Sequence, residues 1–213
     1  IAAVNVSSKQ VGGDYYDIIE LDKDDCVVAI ADVSGKGVPA SLLMANMQAF
    51  LQVICRQNVP LDEATGLIND LISKNTADGK FITFFWGILN NIDMTFEYVN
   101  AGHNPPLLIR EGKIIKLEIG GMILGVMKTI LPYRSEKIQL MKDDVLVMFT
   151  DGISEAMNKK SEEFSDEALE KLSLEMASAS AETILKEIQS EVQRFTDGAT
   201  QSDDITLVVI KVK

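Results

Sequence analysis

Aspartate stands where apolar runs begin or stop. Asp14 follows Gly12-Gly13, Asp32 follows the run 27–31, Asp151 follows 145–150, and Asp203-Asp204 precede the run 205–212. Four separated segments therefore each deliver a carboxylate at the end of a strand-like stretch. Hard oxygen donors without histidine or cysteine partners suit Mg²⁺ or Mn²⁺ rather than zinc or copper. Close carboxylates also raise one another's pKa, so such a group stays ionised only against cations. Ordinary turn chemistry is the competing reading, because aspartate is common in turns, and Asp22, Asp24, Asp25, Asp143 and Asp144 read that way.

Other catalytic groups are sparse. His103 is the sole histidine and no GxSxG elbow exists, which dismisses a Ser-His-Asp engine. It lies in Ala101-Gly102-His103-Asn104-Pro105-Pro106, where a turn role outweighs a catalytic one. Gly35-Lys36-Gly37 lacks the GxxxxGK(S/T) spacing of a phosphate loop. Cys26 and Cys55 form no CxxC pair and lie among apolar residues, which argues against a thiol zinc site and for a reducing compartment, with the cytoplasm as the expected location.

Composition narrows the field further. With 213 residues, 46% hydrophobic and 24% charged, the chain has the profile of a globular domain. A chain of this size buries roughly 70% of the surface its unfolded form exposes, so it needs no disulfide staples. The balance of 20 Lys+Arg against 32 Asp+Glu gives a net charge of −12, which repels phosphate backbones and anionic lipid and excludes nucleic acid as a partner. No apolar run approaches the ~20 residues of a membrane helix. The chain starts at Ile1 with a strand-like segment, so it reads as the C-terminal part of a longer regulated protein, and a membrane anchor in absent segments stays compatible.

The elements that must position these carboxylates follow from periodicity. Strands are expected at 2–7, 15–21 and 26–31, the last two joined as an antiparallel hairpin through the turn 22–25. Pro39 opens a helix in which Leu43, Met47, Phe50 and Ile54 recur at helical spacing, and Pro60 precedes a second helix over 61–74. A strand meander is expected over 83–90, 95–100, 106–110 and 113–118, then a strand pair 135–141 and 145–149 across the turn 142–144. Helices at 166–175 and 181–195 and a strand at 205–212 close the chain. Hairpin-linked strands with helices in separate blocks predict an α+β fold of antiparallel sheets covered by helices, ahead of a doubly wound parallel sheet. No repeat or linker divides the chain, so residues 1–213 read as a single domain.

At these residues the chain resembles the metal-dependent protein phosphatases, the protein phosphatase 2C-like superfamily, and within it the bacterial SpoIIE/RsbU type. The segments that carry the resemblance are Val11-Gly12-Gly13-Asp14-Tyr15-Tyr16-Asp17 and Ala31-Asp32-Val33-Ser34-Gly35-Lys36-Gly37-Val38-Pro39-Ala40. Asn100-Ala101-Gly102-His103-Asn104-Pro105-Pro106, Phe149-Thr150-Asp151-Gly152-Ile153-Ser154-Glu155-Ala156 and Asp203-Asp204-Ile205-Thr206-Leu207 complete the set. Together they span nearly the whole chain in the family's order.

The resemblance implies a four-layer α-β-β-α sandwich, two antiparallel sheets flanked by helices, with two Mn²⁺ or Mg²⁺ at one end. It implies that Asp32 bridges both metals, that Asp14 and the Val33 carbonyl hold one, that Asp151 and Asp203 hold the other, and that Asp204 orients its loop. A hydroxide between cations about 4 Å apart would then attack phosphorus in line, with no side-chain nucleophile. Ser34 stands where eukaryotic members carry a histidine, no arginine takes the place of their phosphate-gripping one, and His103 lies in the segment that supplies a third-metal aspartate in many relatives. The implied substrate is a phosphoserine or phosphothreonine on a STAS-domain anti-sigma-factor antagonist. The implied control comes from upstream sensor segments acting through the helical hairpin 39–76 and a homodimer. Two rival functions are a catalytically idle phosphatase-like binding module and a two-metal phosphohydrolase of small phosphoesters or nucleotides. The second needs base-stacking aromatics, whereas Trp86, Tyr15, Tyr16, Tyr98 and Tyr133 mostly sit in strand patterns.

Overall fold

The apolar runs that end in aspartate become strands of two sheets. The structure, a computed structural model, describes residues 1–76 and 79–213. The chain opens with β1 (Ala2–Val6), β2 (Tyr15–Glu20) and β3 (Asp25–Val33), followed by helices α1 (Val38–Ile54) and α2 (Leu61–Asn75). Next come β4 (Ile82–Asn90), β5 (Thr95–Ala101), β6 (Leu107–Arg110), β7 (Lys113–Lys116), the two-residue β8 (Gly120–Gly121) and β9 (Glu136–Gln139). The last stretch holds β10 (Val145–Phe149), α3 (Asp151–Ser154), α4 (Asp166–Glu175), α5 (Ala181–Thr196) and β11 (Ile205–Lys211). Sheets that are mainly antiparallel and flanked by helices bear out the α+β expectation.

The chain gathers into two compact units, each built on one sheet. One unit, 11–103 with 118–140, carries the order β2-β3-β4-β5-β8, and β9 also pairs with β5. Helix α1 forms because Gly37 at φ +75 and Pro39 in the first turn start it, and its apolar stripe faces the sheet. Leu43, Met47, Leu51 and Ile54 are buried and Phe50 packs against the same cluster, so the predicted face is core. Full burial of a Met or Leu side chain is worth about 1.5–3 kcal/mol, which makes these residues the anchor of the helix. From α2, Ile68 and Ile72 enter that core, and the Thr65 hydroxyl accepts a 2.9 Å hydrogen bond from the buried Trp86 indole.

The other unit, 1–10 with 104–117 and 141–213, carries the order β1-β11-β10-β6-β7. Helix α5 lays Ile184, Leu185, Ile188 and Val192 onto a core shared with Val147, Phe149, Leu207 and Val209. Ser180 caps it by accepting from the Thr183 N–H, and Ser165 caps α4 in the same way. In both sheets the alternate residues are buried as well, including Val28 and Ile30 of β3 and Leu146 and Met148 of β10. That is why those strands read as unbroken apolar runs. Among the described residues no helix is long and apolar enough to cross a membrane.

Two expectations are corrected, and one further strand was not foreseen. The meander divides after β5, because β6 and β7 pair with each other and β6 joins β10 in the other sheet. The predicted pair 135–141 with 145–149 does not form either. β9 pairs with β5 while β10 lies between β11 and β6. The turn between them is pinned, with Asp143 at φ +70 and the Asp144 carboxylate taking the Met141 N–H at 2.8 Å and the Arg110 guanidinium at 2.6 Å. Strand β8 was not expected, since glycine pairs carry no strand signal. A Cβ on Gly120 would lie 1.8 Å from the Asn100 carbonyl oxygen, so only glycine permits that parallel approach.

Candidate metal centre

Each unit presents two of the sequence-predicted aspartates. In the six-stranded unit, β3 leaves its ladder at Asp32 and Val33, which pair with Thr83 and Ile82 of β4. On the other side β2 pairs Tyr15 with Ala31, so one further step of the antiparallel register sets Asp14 opposite Asp32. Asp14 is only 6% exposed, and Asp32 is half-buried. A Cβ on Gly13 would lie 3.0 Å from the Val33 carbonyl oxygen, so the glycine leaves that oxygen uncrowded. The Ser41 hydroxyl of α1 donates to the Gly12 carbonyl at 2.7 Å, which ties the helix to the loop carrying Asp14.

The segment after Asp32 is fixed from the residues that lead into β4. The Ser34 N–H donates to the Phe81 carbonyl, and its hydroxyl accepts from the Phe81 N–H at 2.9 Å. The Lys80 ammonium donates to the Ser34 carbonyl at 3.2 Å, so a cation stands beside the loop. His103 is buried in a turn closed by Asn100, whose side chain accepts from the His103 N–H and donates to its carbonyl. The His103 imidazole Nδ1 lies 2.9 Å from the Thr83 hydroxyl, on the residue paired with Asp32. The turn reading of His103 thus has a structural counterpart.

In the five-stranded unit, β10 runs into Thr150 and then α3, whose first residue is Asp151. The Thr150 hydroxyl accepts from the Thr206 N–H at 3.0 Å, locking this exit to β11. Asp203 precedes β11, and the Gln201 amide holds its carbonyl at 2.7 Å while also reaching the Val6 carbonyl. Asp204, 6% exposed, accepts from both the N–H and the hydroxyl of Ser8 at 2.7 and 2.9 Å. Its carboxylate is committed to joining the end of β1 to the start of β11, as expected of a loop-orienting residue.

Glu155 is the residue that the sequence reading passed over. Burial pushes its carboxyl pKa up, and the charges of Asp151, Glu163, Asp203 and Asp166 push it further. Asp151 and Asp203 therefore share one acidic neighbourhood with it. Its signal was the helical step of four from Asp151. Among the described residues no group of three or more His, Cys, Asp or Glu side chains is gathered as a metal-holding set; the predicted aspartates stand two to a unit. The donors themselves, carboxylates and one uncrowded backbone carbonyl, are the hard oxygen set that Mg²⁺ and Mn²⁺ take. Both thiols are raised by burial and do not join it.

The fold and the sequence have known counterparts. The family model for Stage II sporulation protein E (SpoIIE) matches residues 22–213. Phosphoserine phosphatase RsbU of Bacillus subtilis (strain 168) is 31% identical over 216 residues, which span all of this chain and 63% of RsbU. The solved PP2C phosphatase domain of SpoIIE from Bacillus subtilis, with a fragment of its regulatory domain, superposes with a TM-score of 0.83 at 24% identity over 99% of this chain and 62% of that one. The structure of RsbX in complex with magnesium superposes at 0.74, with 15% identity over 99% of this chain and 94% of that one. The chain spans less than two thirds of RsbU and of that SpoIIE structure, and it belongs to the SpoIIE family, with the fold of a protein phosphatase 2C domain.

Proposed function

We propose that this domain hydrolyses phosphoserine or phosphothreonine on a protein with the help of two divalent cations, Mn²⁺ or Mg²⁺. In this reading Asp14, Asp32 and the Val33 carbonyl serve one cation, and Asp151 and Asp203 serve the other. When bound, such cations lower the pKa of water to give hydroxide near neutral pH and neutralise phosphoryl oxygens. The protein's own contribution is positional. Gly13 and Ser41 hold the Asp14 loop, Ser34 and Lys80 hold the turn after Asp32, and Ser8 and Thr150 hold the two exits that carry Asp203 and Asp151.

The observation that carries the reading is the exit geometry. Every assigned ligand lies in or beside a strand end fixed by hydrogen bonds from a neighbouring element, so little ordering is left to complete on binding. RsbU's name supports phosphoserine as substrate, and the bound magnesium of RsbX supports a divalent cation. The protein substrate in this reading is a phosphorylated STAS-domain anti-sigma-factor antagonist, with control from segments upstream of those described.

The test is phosphate release from a phosphoserine STAS protein in EDTA, Mg²⁺ or Mn²⁺, comparing wild type with Asp32→Ala and Asp151→Ala. Metal-dependent release that both substitutions abolish is expected. A folded domain that releases nothing with either metal, alone or with its upstream segment, would be an idle binding module.

A further inference from the structure

Five large apolar side chains are exposed within one short stretch of the six-stranded unit. They are Met122, Val126, Met127, Ile130 and Leu131, the last two 73% and 68% exposed. Such a stretch is usually loose, but here a buried asparagine fixes it. Asn69 of α2, only 2% exposed, accepts from the Gly125 N–H at 2.9 Å and donates to the Met127 carbonyl and the Thr129 hydroxyl, both at 3.0 Å. Asp70 accepts from the Thr129 N–H at 2.8 Å, and the Ser73 hydroxyl donates to the Met127 carbonyl at 3.0 Å. The result is a rigid ledge with its apolar groups turned outward, an arrangement that lowers the ordering cost of binding.

The ledge is also cationic in an acidic protein. Lys128 and Arg134 line a cleft of about 310 Å³ with Ile130, Leu131 and Met122 along it and the buried Tyr133 beside them. Neither cation makes an ion pair among the described residues. Asp70 lies within the electrostatic reach of Lys128, and one of its oxygens already accepts from the Thr129 N–H. The whole chain carries −12, so this local sign is opposite to the molecule's own.

Its root lies beside the candidate centre. Leu124 exchanges backbone hydrogen bonds with Ile82, and Ile82 pairs with Val33, so the ledge begins two strands from an assigned ligand. Two strand spacings are about 10 Å. A partner seated on the ledge would therefore hold a phosphorylated loop within reach of Asp32 and Val33.

We propose that the ledge 122–134 is the docking surface for the protein substrate, and that it selects a partner whose own surface combines acidic residues with an apolar anchor. This rests on the phosphatase reading above. Exposed apolar groups beside two cations also suit an anionic membrane, but the −12 field opposes that approach, whereas an acidic protein patch has to satisfy only the two local cations.

The test uses two fluorescein-labelled phosphoserine peptides of equal length, one with a Glu/Leu-rich segment downstream and one with Lys/Ser in its place. Anisotropy reads binding without turnover, so the docking claim stands or falls even if no phosphate is released. Wild type is expected to bind the Glu/Leu peptide at least about tenfold tighter, a difference of about 1.4 kcal/mol. Lys128→Glu/Arg134→Glu and, separately, Ile130→Ser/Leu131→Ser should each remove the preference while hydrolysis of p-nitrophenyl phosphate stays unchanged. A preference retained in both variants, or absent in wild type, overturns the proposal. So does a wild-type dimer that Ile130→Ser/Leu131→Ser dissociates in sedimentation velocity, since a second copy then fills the ledge. Co-sedimentation with phosphatidylserine vesicles that Lys128→Glu/Arg134→Glu abolishes would assign it to lipid instead. Failure of p-nitrophenyl phosphate hydrolysis in wild type with Mn²⁺ would count against the phosphatase reading and leave the binding result to decide the ledge.

Discussion

Gly152 and Asp204 meet backbone to backbone: a Cβ on Gly152 would lie 1.8 Å from the Asp204 carbonyl oxygen. The first turn of α3, which carries Asp151, therefore rests directly on the loop that carries Asp203 and Asp204. Gly152→Ala must push these segments apart, at a cost of about 3 kcal/mol. Urea denaturation should show that loss, and wild-type stability in the variant would mean that the loop yields freely.

Gly13→Ala is a gentler version of the same experiment. Its Cβ would lie 3.0 Å from the Val33 carbonyl oxygen and 3.2 Å from Ala40 Cβ. A few tenths of an ångström of relief should cost about 1 kcal/mol of stability. The larger effect is expected on Mn²⁺ affinity by calorimetry, a weakening of roughly tenfold or about 1.4 kcal/mol, because the displaced oxygen is an assigned ligand.

Metal linkage supplies a readout independent of turnover. Wild type should gain about 2.7 kcal/mol of unfolding free energy when Mn²⁺ is raised to a hundred times its Kd. Asp151→Asn should lose most of that gain while folding normally without metal. An equal gain in the variant would remove Asp151 from the ligand set.

The Arg110–Asp144 pair offers a stability test far from the aspartate ligands. Three guanidinium hydrogen bonds and the Met141 N–H converge on the buried Asp144 carboxylate. Asp144→Ala strands a partly buried guanidinium and frees the turn before β10, and should cost about 3 kcal/mol. A loss below about 1 kcal/mol would mean the pair is as weak as an exposed one.

Alkaline titration reports on three tyrosines. Burial raises the phenols of Tyr15, Tyr98 and Tyr133, helped at Tyr15 by Asp17 and at Tyr98 by Glu136, and Tyr133 is pushed up to about 12. A folded-state pKa above the unfolded value of about 10 favours the protonated fold, so the contribution is complete below that pH and is lost as pH climbs toward the folded values. Phenolate absorbance from these residues should rise only with unfolding, as followed by circular dichroism. Ionisation of all three ahead of unfolding would contradict their burial.

Helix and strand positions were largely legible, because burial on one helical stripe or along a strand leaves a periodic mark. The stripe Leu43, Met47 and Ile54 and the runs through Val28 and Met148 are core for that reason. Partners were less legible. The turn 142–144 looks like a hairpin locally, yet β9 and β10 belong to different sheets, since hydrogen-bond pairing is decided by distant strands and by the Arg110 clamp on Asp144. Gly120 carried no strand signal, because what it contributes is a missing side chain at one close approach.

The same division runs through the candidate centre. The sequence alone determined that aspartates end the strands, since residue type and the edges of apolar runs are local properties, and its resemblance named the family. Tertiary structure decided what each acidic group is free to do. Asp204 is spent on Ser8, and Glu155 is drawn into the field of Asp151 and Asp203. Ser34 is bound to Phe81, and the ledge at 122–134 is held outward by Asn69. Apart from the four-residue step between Asp151 and Glu155, those outcomes depend on hydrogen bonds and electrostatic fields between segments tens to nearly two hundred residues apart, and no short window along the chain contains both partners.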